Sequence, residues 1–162
     1  MRQSLSHFIY NYTLFLFILS SCSGDSSELT NRGQSLLDSG KPEEALLALD
    51  SALKINPDDT LAYKLRGFAN FRTSHFRSAI RDFNKAVELS PPDSPFFILL
   101  FRGLSHGMLE NWVSALVDLN SFIDNPRFNT SKVSDDEKGI AYSSRGIANL
   151  NLGRIDKALR DY

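Results

Sequence analysis

TLAYKLRGFANFRTSHFRSAIRDFNKAVELSPPD, residues 60–93, holds one complete copy of the pattern on which this chain is built. Tyr63, Gly67, Phe76, Ala79, Phe83 and Ala86 recur at helical spacing. His75 falls in the turn between two amphipathic runs, and Pro91 closes the unit. Asp58 or Asp59 is placed to cap the first helix with its carboxylate. The pattern then returns. Arg32-Gly33, Arg66-Gly67, Arg102-Gly103 and Arg145-Gly146 are each followed, 12 residues after the glycine, by an alanine: Ala45, Ala79, Ala115 and Ala158. Successive glycines stand 34, 36 and 43 residues apart. Self-similarity at such a period marks stacked helix pairs, because one pair alone leaves an apolar face that the next must cover. Glycine on one helix and alanine on the other let the two backbones approach closely.

The units span 26–59, 60–93, 96–129 and, incompletely, 139–162. In the first, Leu29, Leu36, Leu49 and Ala52 mark apolar faces and Gly40 breaks the two helices. Pro42 suits the first turn of the second helix, Glu43 and Glu44 favour its positive end, and Pro57 ends it. Ser94-Pro95 is a helix start for the third unit, followed by Leu99, Trp112, Leu119 and Pro126. Asn125 to Lys138 is a polar stretch separating units three and four. Within it Ser134-Asp135-Asp136-Glu137 reads as a capping box, so the fourth unit is expected to open with a longer helix. Tyr162 aligns with Phe83, which leaves the last helix short and without a polar capping helix after it. The expectation is therefore a fragment or a truncated reading frame.

The repeats resemble the tetratricopeptide repeat. Its marks are an aromatic or Leu early in helix A, a small residue four further on, an alanine in helix B, another seven on, and a closing proline. Tyr63, Gly67, Ala79, Ala86 and Pro91 match all five; Phe122 replaces the second alanine in unit three. The resemblance implies an all-α fold, an α-solenoid of antiparallel helix hairpins with about three and a half repeats over 26–162. It also implies a groove lined by helix A residues. These are Leu61, Lys64, Phe68, Phe71 and Arg72; then Phe97, Leu100, Leu104 and Met108; then Ile140, Ser143, Ile147, Leu150 and Asn151. An apolar strip of that extent marks a partner site, where a helix or extended peptide would lie anchored on Phe68, Phe71 and Leu104. The alternative is that superhelical closure, or a further C-terminal part, covers some of these side chains. Members that grip peptide C-terminal carboxylates use Lys and Asn where this chain has Thr30 and Gln34, so that clamp is not present in recognisable form.

Arg66 and Asp82 stand 16 residues apart, as do Arg102 and Asp118, and Arg145 and Asp161. In an antiparallel hairpin with its turn midway, residues at that separation meet. The expectation is one structural Arg–Asp pair per hairpin, since a half-buried guanidinium needs a planar anionic partner. The alternative is an arginine ladder for an anionic ligand. Ala48 replaces the aspartate in unit one, so Arg32 must pair elsewhere.

The N-terminus carries Arg2, an apolar run from Phe8 to Leu19, then Ser20, Ser21 and Cys22. This is the layout of a secretory signal, residues 1–21, and is shorter than the ~20 apolar residues that span a bilayer. A lone cysteine at the cut point resembles the bacterial lipobox. That implies lipidation of Cys22, a tether over 22–27, and attachment to the membrane by lipid. Ser23, where Asp would signal inner-membrane retention, points to the periplasmic face of the outer membrane in a cell that has one.

The 162 residues are 42% hydrophobic, enough for a core, and carry a net charge of −1 with no strongly basic stretch. A nucleic-acid partner is not expected. One cysteine excludes an internal disulfide, and zinc-ligand spacing is absent. His7, His75 and His106 have no Ser, Cys or second His at catalytic or metal spacing, and Asp135-Asp136-Glu137 reads as a cap rather than a metal site. No catalytic residue, metal, cofactor or small-molecule substrate is expected. The reading is a protein-binding scaffold at the bacterial envelope. The alternatives are the non-catalytic repeat portion of a longer protein whose activity lies in a further C-terminal domain, and a soluble secreted enzyme accessory without lipid.

Overall fold

The computed structural model describes residues 25–91 and 96–162; the signal segment, Cys22 and the Ser94-Pro95 helix start lie outside the described residues. Four antiparallel hairpins follow one another. They are α1 (Ser26–Asp38) with α2 (Pro42–Ile55), α3 (Thr60–Arg72) with α4 (Phe76–Glu88), α5 (Phe96–Met108) with α6 (Trp112–Ile123), and α7 (Asp135–Asn151) with the short α8 (Ile155–Ala158). The described residues contain no strand. The architecture is an all-α solenoid.

All four hairpin turns are built alike. In the first, the Lys41 N–H donates to the Leu36 carbonyl and the Gly40 N–H to Leu37. The same pair of bonds joins His75 to Asn70 and Ser74 to Phe71, Asn111 to His106 and Glu110 to Gly107, and Arg154 to Asn149 and Gly153 to Leu150. This closure satisfies the last helical carbonyls and needs one left-handed residue. That residue is Gly40, Ser74, Glu110 or Gly153, with φ of 74, 62, 58 and 71°.

Helix starts follow from local chemistry too. Pro42 occupies the first turn of α2. Asp59 caps α3, its Oδ1 accepting from the Ala62 N–H at 3.0 Å while its Oδ2 accepts from the Thr30 hydroxyl at 2.8 Å. One carboxylate thereby joins two hairpins. Ser134 and Glu137 cap α7 reciprocally, and at 17 residues α7 exceeds the 13 of α3 and α5.

Inside each hairpin a glycine faces a large residue 16 positions on. A Cβ on Gly33 would stand 2.6 Å from Leu49, and one on Gly67 2.5 Å from Phe83, so no side chain fits. Gly103 meets Leu119 and Gly146 meets Tyr162, each at 3.1 Å, which is tight. Apolar clusters then run along the stack. One lies between α1, α2 and α3; a second around Ala79, Phe83, Ala86 and Ile98; a third around Leu100, Leu119, Phe122 and Ala141. The odd-numbered helices also pack on one another, α1 on α3, α3 on α5 and α5 on α7, while the even-numbered ones make no comparable contacts among themselves. The stack therefore curves with odd-numbered helices on its inner side.

The stretch from Asn125 to Lys138 corrects its sequence reading. It is not merely a polar separator. A 3-10 turn at Pro126–Asn129 directs Phe128 into the third cluster, and Val133 follows it; both are buried. Phe128 packs edge-on between Phe122 and Tyr142, with centroids 5.5 and 5.4 Å away. The wider spacing here pins the connection down with two apolar side chains set among polar ones, a pattern without helical period.

Candidate functional site

Helical register places the expected groove residues along the inner face. Leu61, Met108, Ile140, Ile147 and Leu150 are 39–61% exposed, although large and apolar. Phe68, Phe71, Phe97 and Leu104 are half-buried and rest against the core clusters. They form the floor, tied by edge-on ring contacts such as Phe68–Phe101 at 4.8 Å and Phe71–Phe101 at 5.4 Å. Leu100 does not belong to this face. It is 1% exposed and part of the third cluster, so the register position assigned to the groove in unit three is consumed by packing.

Two recesses share Phe71 as their common wall. The first, about 490 Å³, lies over α1 and α3 between Gln34, Leu37, Lys64, Phe68 and Arg72. Arg72 is held there by a 2.7 Å bond from its Nη1 to the Leu37 carbonyl. The second, about 210 Å³, lies between α5 and α7 with walls of Leu104, Met108, Trp112 and Ile147. Trp112 and Ser144 were not singled out for the groove from sequence; both reach it from positions outside the helix A register. Thr30 is buried, its hydroxyl spent on Asp59.

The Arg–Asp pairs lie on a different face and serve the stack. Arg66 Nε and Nη2 donate to the two oxygens of Asp82 at 3.0 and 2.6 Å, and its Nη1 reaches back to Asp50 on α2 at 2.8 Å. Asn70 donates a further bond to Asp82 at 2.9 Å. Burial pulls the Arg66 pKa down, but the bonds and charges of Asp82 and Asp50 together hold it above the ordinary arginine value. Arg102 repeats the fork on Asp118 at 2.8 and 2.6 Å and reaches Asn84 at 2.9 Å. Arg145 grips Asp161, which raises its pKa against the effect of burial, and reaches Asn120 at 3.3 Å. Tyr63 and Tyr142 lie under the guanidiniums of Arg66 and Arg145 at 5.5 and 5.3 Å. Asp50, Asn84 and Asn120 escaped the sequence reading, yet each stands five residues after a repeat alanine and supplies an oxygen. Arg32, opposite Ala48, is exposed.

In the third hairpin the place of Asn70 is taken by His106, whose Nδ1 is buried without a hydrogen-bond partner. Burial lowers its pKa below 6.5; the Asp118 charge opposes this and Arg102 adds to it. His75 sits at the start of α4, its Nδ1 2.8 Å from the Thr73 hydroxyl. Among the described residues, no three His, Cys, Asp or Glu side chains are gathered to hold a metal ion. No described helix is long and apolar enough to cross a membrane. The inner face offers shape and apolar contact.

Comparison with known proteins agrees with this architecture. Residues 30–94 match the family model of the tetratricopeptide repeat. Among solved structures, MamA superposes with a TM-score of 0.73 at 20% identity, over 91% of this chain and 80% of that one. A tetratricopeptide repeat protein from Parabacteroides merdae ATCC 43184 gives 0.62 at 21% identity, over 99% of this chain and 57% of that one. The first TPR of Spaghetti (RPAP3), bound to the HSP90 peptide SRMEEVD, gives 0.59 at 21% identity, over 84% of this chain and 96% of that one. At these identities the likeness establishes the shared fold.

Proposed function

We propose that this chain is a tetratricopeptide-type interaction scaffold, non-catalytic, tethered by lipid at Cys22 to the bacterial cell envelope, and that it holds a partner peptide or helix in its inner groove. One observation carries the binding reading: the run of exposed large apolar side chains from Leu61 through Met108 to Ile140, Ile147 and Leu150 on a single concave face. Water-facing apolar strips of this kind cost solubility, and a partner that covers them recovers the hydrophobic free energy. The peptide held by the TPR of Spaghetti offers an analogy for such a partner. The anchor is supported by Arg2, the apolar run Phe8 to Leu19, and Cys22 after Ser20 and Ser21.

Affinity purification of the full chain from its own cells tests the binding reading. A Met108→Glu, Ile147→Glu double variant places charge on exposed positions and should fold normally, shown by an unchanged melting temperature, while losing the co-purifying protein. Equal recovery from both would defeat the groove. Palmitate labelling that persists in Cys22→Ala would defeat the anchor.

A further inference from the structure

Four residues occupy the same register position on the inner face of the odd-numbered helices: Leu37, Phe71, Gly107 and Leu150. Three are bulky; the one on α5 is a glycine, one residue before that helix ends. It differs from Gly33 and Gly67, which no side chain could replace. A Cβ on Gly107 would meet only Trp112, at 3.8 Å, an ordinary contact. Nor does the backbone demand glycine, since the positive-φ glycines are Gly40 and Gly153. Glycine loses more backbone freedom on folding than any other residue, and at position 107, in the last turn of α5, no packing need in the described structure calls for it. What the missing side chain leaves is the 210 Å³ recess between Leu104, Met108, Trp112 and Ile147.

We infer that this recess receives one large apolar side chain of an extended protein segment, and that the same segment carries a carboxylate about four or five residues away. The inference rests on the groove reading above and specifies its ligand. The groove positions on α5 and α7, namely Phe97, Leu104, Met108, Ile140, Ile147 and Leu150, carry no charge, so the occupant is uncharged there. The charged groups of the neighbouring recess are Lys64 and Arg72 against Asp38, a surplus of one positive charge. Packed helices lie 8–10 Å apart, so α3 is on the order of 15 Å from the cleft between α5 and α7. At ~3.3 Å per residue of extended chain, that distance is four or five residues.

The test selects a displayed library of random 12-residue peptides on the full chain and measures the winners by fluorescence anisotropy. The expected winners share one Leu, Met, Phe or Trp and an Asp or Glu four or five positions from it. Replacing that apolar residue by Ala should weaken binding at least about tenfold, and Gly107→Leu, which fills the recess, should do the same. Gly107→Ala should fall between and should melt no lower than the natural chain. Lys64→Glu should weaken only peptides that keep the acidic residue. Winners insensitive to Gly107→Leu but lost with Met108→Glu would overturn the recess and leave the groove standing. Winners insensitive to every groove substitution, or no winners, would overturn both. Sedimentation showing a dimer that Gly107→Leu dissociates would identify a second copy as the occupant and overturn the peptide.

Discussion

Asp82, Asp118 and Asp161 are buried carboxylates, and each is made tolerable by one arginine that grips both of its oxygens. A charge out of water must be paired, and removing the partner leaves the desolvation cost uncompensated. Arg102→Ala should therefore cost ~3 kcal/mol, whereas Arg77→Ala, at an exposed position, should cost little. Urea unfolding of the two variants decides this, and equal midpoints would refute it. The 16-residue spacing revealed these pairs from sequence because antiparallel geometry converts separation into height. The oxygens of Asp50, Asn84 and Asn120 on the preceding hairpin were not found, because contacts between hairpins depend on how the units stack. His106 lacks the bond that Asn70 makes to Asp82. Its folded pKa lies below 6.5, so as pH falls through that value the unfolded chain takes the proton more readily and stability drops. The unfolding midpoint should fall between pH 7.5 and 5.5, and His106→Asn should make that fall smaller. An identical fall in the variant would contradict the assignment.

The hairpin turns show why helices end where they do. Gly40 and Gly153 take the left-handed conformation without strain, but Ser74 and Glu110 take it too. A side chain in that conformation costs ~1 kcal/mol, so Glu110→Gly should raise stability by up to that amount. A lower melting temperature in thermal unfolding would show that the Glu110 side chain contributes something the turn geometry does not reveal. Helix positions, caps and the long α7 were readable from proline, glycine and Ser134-Glu137 because those residues act locally. The burial of Phe128 was not, since a 3-10 turn followed by a single valine has no periodicity to detect. Phe128→Ala should cost about 3–5 kcal/mol, the loss expected for a buried phenylalanine. Calorimetry showing a loss under 1 kcal/mol would mean that the connection is not part of the core.

Taken along its length, the molecule is a series of small cores with no single centre, so its stability comes from each hairpin and each interface between neighbours. The repeated Arg-Gly and alanine spacings were sufficient to read this architecture. The inner face was readable only in part. Register alone assigned Leu100 to it, but packing against α6 and α7 withdrew that residue, while Trp112 shapes the recess from α6, outside that register, and Gly107 stands in the register but offers no side chain to notice. Curvature leaves apolar side chains of α3, α5 and α7 facing solvent, and the proposed binding requires a partner that covers them. A photo-crosslinking residue placed singly in cells at Leu61, Met108 and Ile147, and at Val113 and Val117 on α6, measures this directly. All five positions are exposed and apolar, so only the face differs. One protein should be crosslinked from the first three and absent from the last two; equal yields from both faces, or capture from α6 alone, would show that the inner face is not the binding face.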